Sequence, residues 1–174
     1  MSRTPVFDGE ALIAALDARR REHGLDWNGL AVALWAQSAE LNAALGGNEL
    51  CPGALVRTAR RGTMSCQYAL ILLRWIGRPP EEFLSRPSTS SAASLVSAGA
   101  DQRLHWNLPQ LHEQLNERRR ADGLTWAELA SELDCTPARL TNLRTARLAD
   151  MELTMRVTQW LGRPAADFVH PTDW

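Results

Sequence analysis

Lysine is absent from the 174 residues, and all 19 basic side chains are arginine. A GC-rich coding sequence accounts for that usage by itself. Its physical consequence is that every phosphate contact open to the chain is a planar, bidentate fork. Cysteine is scarce: Cys51, Cys66 and Cys135 are scattered and form no C-x-x-C pair. That argues against a disulfide framework and a zinc site. No apolar run reaches transmembrane length, and the start, MSRTPVFDGE, lacks the pattern of a signal peptide. A soluble, cytoplasmic protein without membrane contact is expected. Charge of one sign is also missing. The formal net charge is -1, so the chain is not a polycation that binds nucleic acid by bulk charge. His23, His105, His112 and His170 stand apart from one another, without metal-ligand spacing. No nucleophile motif and no glycine-rich phosphate loop occurs. The expectation is a protein that is not an enzyme, with no catalytic residues, no metal and no cofactor.

What is present is a repeat. RRREHGLDW at 19–27 returns as RRRADGLTW at 118–126, a shift of 99. The same shift aligns Leu12 with Leu111, Leu16 with Leu115, and Leu30-Ala31 with Leu129-Ala130. Further on, WIGRPPEEF at 75–83 matches WLGRPAADF at 160–168, now with a shift of 85. The shifts differ by 14, the length of an insertion in the first copy, within about 35–51. Between the copies runs a Ser/Ala-rich stretch, 85–102, which reads as a flexible linker. Three regions are therefore expected: a divergent first unit at 5–84, the linker at 85–102, and a second unit at 103–174.

The periodicity is helical throughout and no segment shows strand alternation. In the second copy Leu111 and Leu115 lie on helix one, which Gly123 ends in a left-handed cap. Thr125 and Glu128 form a capping box for helix two, with Leu129 and Leu133 facing inward. Thr136 caps helix three, with Pro137 at its first position. Asp150 caps helix four, Gly162 ends it, and Pro164 starts a short fifth helix. The arginine triplets end helix one, where cations suit the helix dipole, and read as solvated caps. The expected fold class is all-α, two tandem five-helix units with no β-sheet.

The stretch TWAELASELDCTPARLTNLRTAR resembles a helix-turn-helix of the Cro and phage-repressor family, the xenobiotic-response-element-like regulators. The likeness covers about 60 residues of the second copy. Leu129-Ala130 matches the family's Leu-Ala pair, and Leu140 and Leu143 match the buried pair of its recognition helix. Asp134 stands where the family usually has glycine; Asp tolerates the left-handed conformation better than most residues. The resemblance implies two lambda-repressor-like domains and sequence-specific binding of double-stranded DNA. The exposed face of the recognition helix would be Thr136, Ala138, Arg139, Thr141 and Asn142. Asn reads adenine, Arg reads guanine, and Thr or Ala touches a thymine methyl. Arg144 and Arg147 suit phosphate.

The first copy resembles the family in its flanks but not at its centre. Apolar residues continue through the insertion (Leu30, Leu34, Leu41, Leu45), so helix two is expected to run unbroken to Leu45 and end at Gly46-Gly47. Helix three would start near Pro52 and turn Ala54, Val56, Arg57, Arg60 and Arg61 outward. That face is basic but has no amide readers. Trp35 reads as core packing or as an anchor in a subunit interface. The functional expectation is a transcriptional regulator of bacterial or phage type, nucleoid-associated when bound to DNA. Its second copy reads bases. Its first copy supplies phosphate contacts through Arg57, Arg60 and Arg61, or instead engages a second copy of the chain or a protein partner. The alternative is a protein-interaction adaptor or antitoxin-like module that keeps the fold without DNA.

Overall fold

Both copies begin with a side-chain cap. Asp8 accepts from the Ala11 N–H at 2.9 Å and opens α1 (Gly9–Glu22); Asn107 accepts from Gln110 N–H at 3.1 Å and opens α6 (Leu108–Ala121). The computed structural model describes residues 4–46, 50–88, 94–145 and 149–173. After α1 come α2 (Trp27–Ala36), α3 (Ala39–Leu45), α4 (Pro52–Arg61), α5 (Cys66–Ile76) and a 3₁₀ turn, Pro80–Phe83. The second copy runs β1 (Arg103–Trp106), α6, α7 (Trp126–Glu132), α8 (Pro137–Asn142), α9 (Met151–Leu161), a 3₁₀ turn at Ala165–Phe168, and β2 (Val169–Thr172). None of the described helices is long and apolar enough to cross a membrane.

The repeated phrase builds the same corner twice. Gly24 and Gly123 take left-handed φ values of 64° and 70°. Behind them Leu25 N–H reaches back to Arg20 O and Leu124 N–H to Arg119 O, both at 3.0 Å, which closes the helix end. The arginine triplets do more than cap. Arg20 lies over the Trp27 ring at 4.7 Å and Arg119 over Trp126 at 4.6 Å. Arg19 and Arg118 cover Trp75 and Trp160 in the same way. The reading of these arginines as solvated caps is corrected accordingly: two of each three lie over tryptophan faces, a favourable cation–π geometry.

Three further expectations are overturned. The first is the absence of β-sheet. β1 and β2 pair antiparallel, with Leu104 opposite Pro171 and Trp106 opposite Val169. Strands of four residues are too short to announce themselves as alternation. The first copy keeps one bridge of this sheet, Phe7 to Leu84, at the equivalent positions.

The second is the unbroken helix to Leu45. The chain breaks after Ala36 and restarts at Ala39. The N–H groups of Glu40 and Leu41, which a continuous helix would spend on its own carbonyls, go instead to Ala100 O at 3.1 and 3.2 Å. Arg74 takes the Gln37 carbonyl at 2.7 Å, and Asn42 takes that of Trp35 at 2.7 Å. Leu41 is buried as expected, but Leu45 is 53% exposed and does not continue the inner stripe.

The third is the free linker. Among its described residues, Leu95, Val96 and Ala98 pack against the core. Arg74 holds the Ala98 and Gly99 carbonyls, each at 2.9 Å. This part of the stretch is docked, so a random-coil span does not describe it.

The two copies share one hydrophobic core, and at their junction equivalent residues meet in a locally two-fold arrangement. Ser65 and Asp150, equivalent under the shift of 85, form an antiparallel bridge. Cys66 N–H donates to Ala149 O at 2.7 Å and Met151 N–H to Met64 O at 3.0 Å, each bond the image of the other. Helices α5 and α9, also equivalent, pack together beside the axis. Trp106 sits on Cys66, its indole N–H donating to the Cys66 carbonyl at 3.1 Å. Its counterpart Phe7 lines a cavity with Met151, the counterpart of Cys66.

One buried acid crosses this interface. Glu81 Oε1 accepts from Ala165 N–H at 2.6 Å, while Oε2 has no partner among the described residues. Burial pushes the Glu81 carboxyl above its ordinary value, against the smaller opposing effect of the backbone N–H groups. A raised folded-state value means that its stabilising contribution is complete below the ordinary carboxylate range and is lost as pH rises through the raised value. Glu81→Gln keeps the acceptor and removes the ionisation. The variant is expected to melt above wild type at neutral and alkaline pH, the difference closing in acid; thermal melts from pH 3 to 9 check this.

Candidate nucleic-acid interface

Helix α7 starts with the complete capping box. Glu128 N–H donates to the Thr125 hydroxyl at 3.2 Å, and Thr125 N–H to the Glu128 carboxylate at 2.8 Å. Leu129, Ala130 and Leu133 point inward. The chain then turns at Asp134, whose φ of 51° is the only positive value on a described non-glycine residue. Cys135 N–H closes the turn on Ala130 O at 2.9 Å. Helix α8 follows with Leu140 and Leu143 buried against α7. Thr136 stands at its N-cap, but the hydroxyl makes no capping bond, contrary to the capping expected of it.

Sequence reasoning missed what holds this turn. Arg156 on α9 donates through Nη1 to Leu133 O at 2.8 Å and to Asp134 O at 3.1 Å. Its Nη2 is bonded to Glu152. Nothing in the first copy signals it, because the equivalent residue there is Ile71 and no short turn exists beside it. Arg156→Ala removes charge-assisted bonds of about 1.5–3 kcal/mol each from the turn. Faster hydrogen exchange at the Cys135 amide is expected, and unchanged protection there would refute a bracing role.

The outward face of α8 carries Thr136, Ala138, Arg139, Thr141 and Asn142, and Arg144 follows; all are exposed. The structure brings these six together on one surface. Arg147 lies outside the described residues, as does Trp174. The Asn142 amide has no partner among the described residues. Arg139 differs: its guanidinium is bonded to the Asp150 carboxylate, which also caps α9 through Leu153 N–H at 2.8 Å. Arg144 approaches His112, whose imidazole is pushed down by burial first and by Arg144 second. His112 stacks on Trp126 at 5.4 Å between ring centres.

In the first copy α4 packs on α2 as α8 packs on α7, with Leu55 buried where Leu140 is. Arg57, Arg60 and Arg61 are exposed, while Ala54 and Val56 are half-buried. The inserted α3 stands where the tight turn would be. Ser65 and Asp150, the residues paired across the two-fold axis, cap the helices that follow α4 and α8. α4 and α8 therefore precede the junction in equivalent positions, each followed by the helix that its paired residue caps.

Among the described residues no group of three or more acidic, His or Cys side chains is placed to hold a metal ion. Cys51, Cys66 and Cys135 are free thiols. Comparisons of the chain with protein-family models, curated proteins and solved structures returned no match.

Proposed function

We propose that the chain is a sequence-specific double-stranded DNA-binding regulator of the helix-turn-helix kind, built as a dimer in one polypeptide. The observation that carries this reading is the braced turn at Asp134 followed by a helix whose outer face offers an unpartnered amide, hydroxyls and arginine. That combination suits base edges in a major groove. The second support is the dyad. Twofold-related helices on one face are how helix-turn-helix dimers engage two half-sites. Because the two faces differ in residues, the two half-sites should differ in sequence. Helix α8 reads bases, Asn142 foremost, while Arg57, Arg60 and Arg61 of α4 contact phosphates.

A second reading keeps the fold as a protein-interaction adaptor. It is favoured by Arg139, whose charge is satisfied internally by Asp150, and by the lack of amide readers on α4. Selection of bound sequences from a random DNA pool separates the two. A regulator enriches a defined site; an adaptor enriches none. On the enriched site, Asn142→Ala is expected to reduce discrimination at one base pair by about 1–3 kcal/mol. Arg60→Ala should weaken specific and random DNA alike and flatten the salt dependence. Equal losses on both DNAs for both variants would displace α8 from the groove.

A further inference from the structure

The insertion of the first copy creates a cavity of about 170 Å³ between α2, α3, α5 and β1. Leu34, Leu70, Ile71 and Leu104 give it apolar walls, and Trp35 closes one side. Two guanidinium groups reach it. Arg74 spends its nitrogens on neutral acceptors: the Ser38 hydroxyl and the carbonyls of Gln37, Ala98, Gly99 and Gln102. Arg103 lies over the Trp35 ring at 5.2 Å and bonds Asn42 through Nη2. Its Nε and Nη1 have no acceptor among the described residues. Among the described residues neither arginine meets a carboxylate within 4.0 Å, whereas seven other arginines do. His105, at the same cavity, has its imidazole pushed down by burial first, then by His170 and Arg103. Partly buried positive charge without a carboxylate partner is costly.

The cavity is not a by-product of the repeat. Under the shifts of 85 and 99, Arg74 corresponds to Gln159, Gln67 to Glu152, and Arg103 to Thr4. The cations and the closing wall of Trp35, Ser38 and Asn42 therefore exist in one half only. An apolar cavity near 150 Å³ holds a single benzene ring, which sets the size of an occupant.

We propose that this cavity binds a small organic carboxylate, with its apolar part against Leu34, Leu70 and Leu104 and its carboxylate on the free donors of Arg103. Such a ligand ties the insertion of copy one to the first strand of copy two. The site therefore joins the two units, and its existence does not depend on the DNA-binding reading.

The probe is benzoate, titrated calorimetrically into the full chain, with benzamide as the neutral counterpart of nearly equal shape. Saturable one-to-one binding of benzoate is expected, with benzamide weaker by about 10- to 100-fold, the range of a charge-assisted hydrogen bond. Arg103→Gln should remove most of that preference, by weakening benzoate far more than benzamide. Nuclear Overhauser contacts from the benzoate ring should reach the Leu104 methyls and the Trp35 indole. Absence of saturable benzoate binding, equal affinity for both probes, or ring contacts elsewhere on the molecule would each overturn the proposal. The two-probe comparison and the ring contacts use the unaltered protein, so they decide the matter even if Arg103→Gln fails to fold.

Discussion

Inserting five base pairs between the halves of the selected DNA site is expected to weaken binding of the full chain by about 10²-fold or more. The reason is the rigid dyad. Half-sites recur on one face of the duplex every 10–10.5 base pairs or so, about 34–36 Å apart. A five-base-pair insertion turns the second half-site to the far side of the duplex. Two units on a flexible tether of roughly 25 Å span could regain contact by stretching and rotating. Units joined through the Ser65–Asp150 bridge and packed α5 against α9 cannot, because reorientation would open their shared core. Binding would then rest on one half-site and lose the effective concentration that the other contributes. Fluorescence anisotropy on the two duplexes at a single salt concentration measures this. Equal affinities would take α4 off the DNA and leave the first copy to a protein contact.

The second large effect concerns folding. The fragment 94–174 by itself is expected to show no cooperative thermal transition as a monomer at micromolar concentration. Mixing it with fragment 1–93 should restore one. Without the first copy, Leu104 and Trp106 lose α5 as a packing surface, and Met151 and Met155 lose the neighbouring helix at the dyad. Burial of each such side chain contributes about 1.5–3 kcal/mol, and each crossing hydrogen bond about 1 kcal/mol. Together these rival the roughly 5–15 kcal/mol that holds a small domain folded. The crossing bonds include Cys66 to Ala149 and Met151 to Met64, Trp106 to Cys66 and Ala165 to Glu81. Circular dichroism melts of each fragment and of the mixture test the point. A fragment that melts alone at the temperature of the full chain would show that the shared core is dispensable.

Local chemistry was legible wherever a residue's role depends on its near neighbours in sequence. Asp150 caps its helix because an Asx oxygen reaches the N–H three residues on. Gly123 and Gly162 end theirs because a left-handed residue is needed there. The period of 3.6 placed Leu111, Leu115, Leu129, Leu140 and Leu143 inside, where they are. The exposed face of α8 followed from the same period. Misreadings arose where a distant group competes for a local bond. The apolar stripe from Leu30 to Leu45 reads as one helix until Ala100 O and Arg74 take its hydrogen bonds.

By itself, the sequence determined most of the helices, most of their caps and most of their buried faces, because these depend on side-chain period and on hydrogen bonds spanning three or four residues. It also showed that one unit occurs twice. How the two units meet was decided by the tertiary structure alone. The Ser65–Asp150 bridge, the Arg156 brace under the Asp134 turn, the crossing of Glu81 to Ala165 and the arginine-lined cavity each join residues many positions apart. Such pairings depend on which faces come together when the two apolar surfaces bury each other, and no periodicity within either copy carries that information.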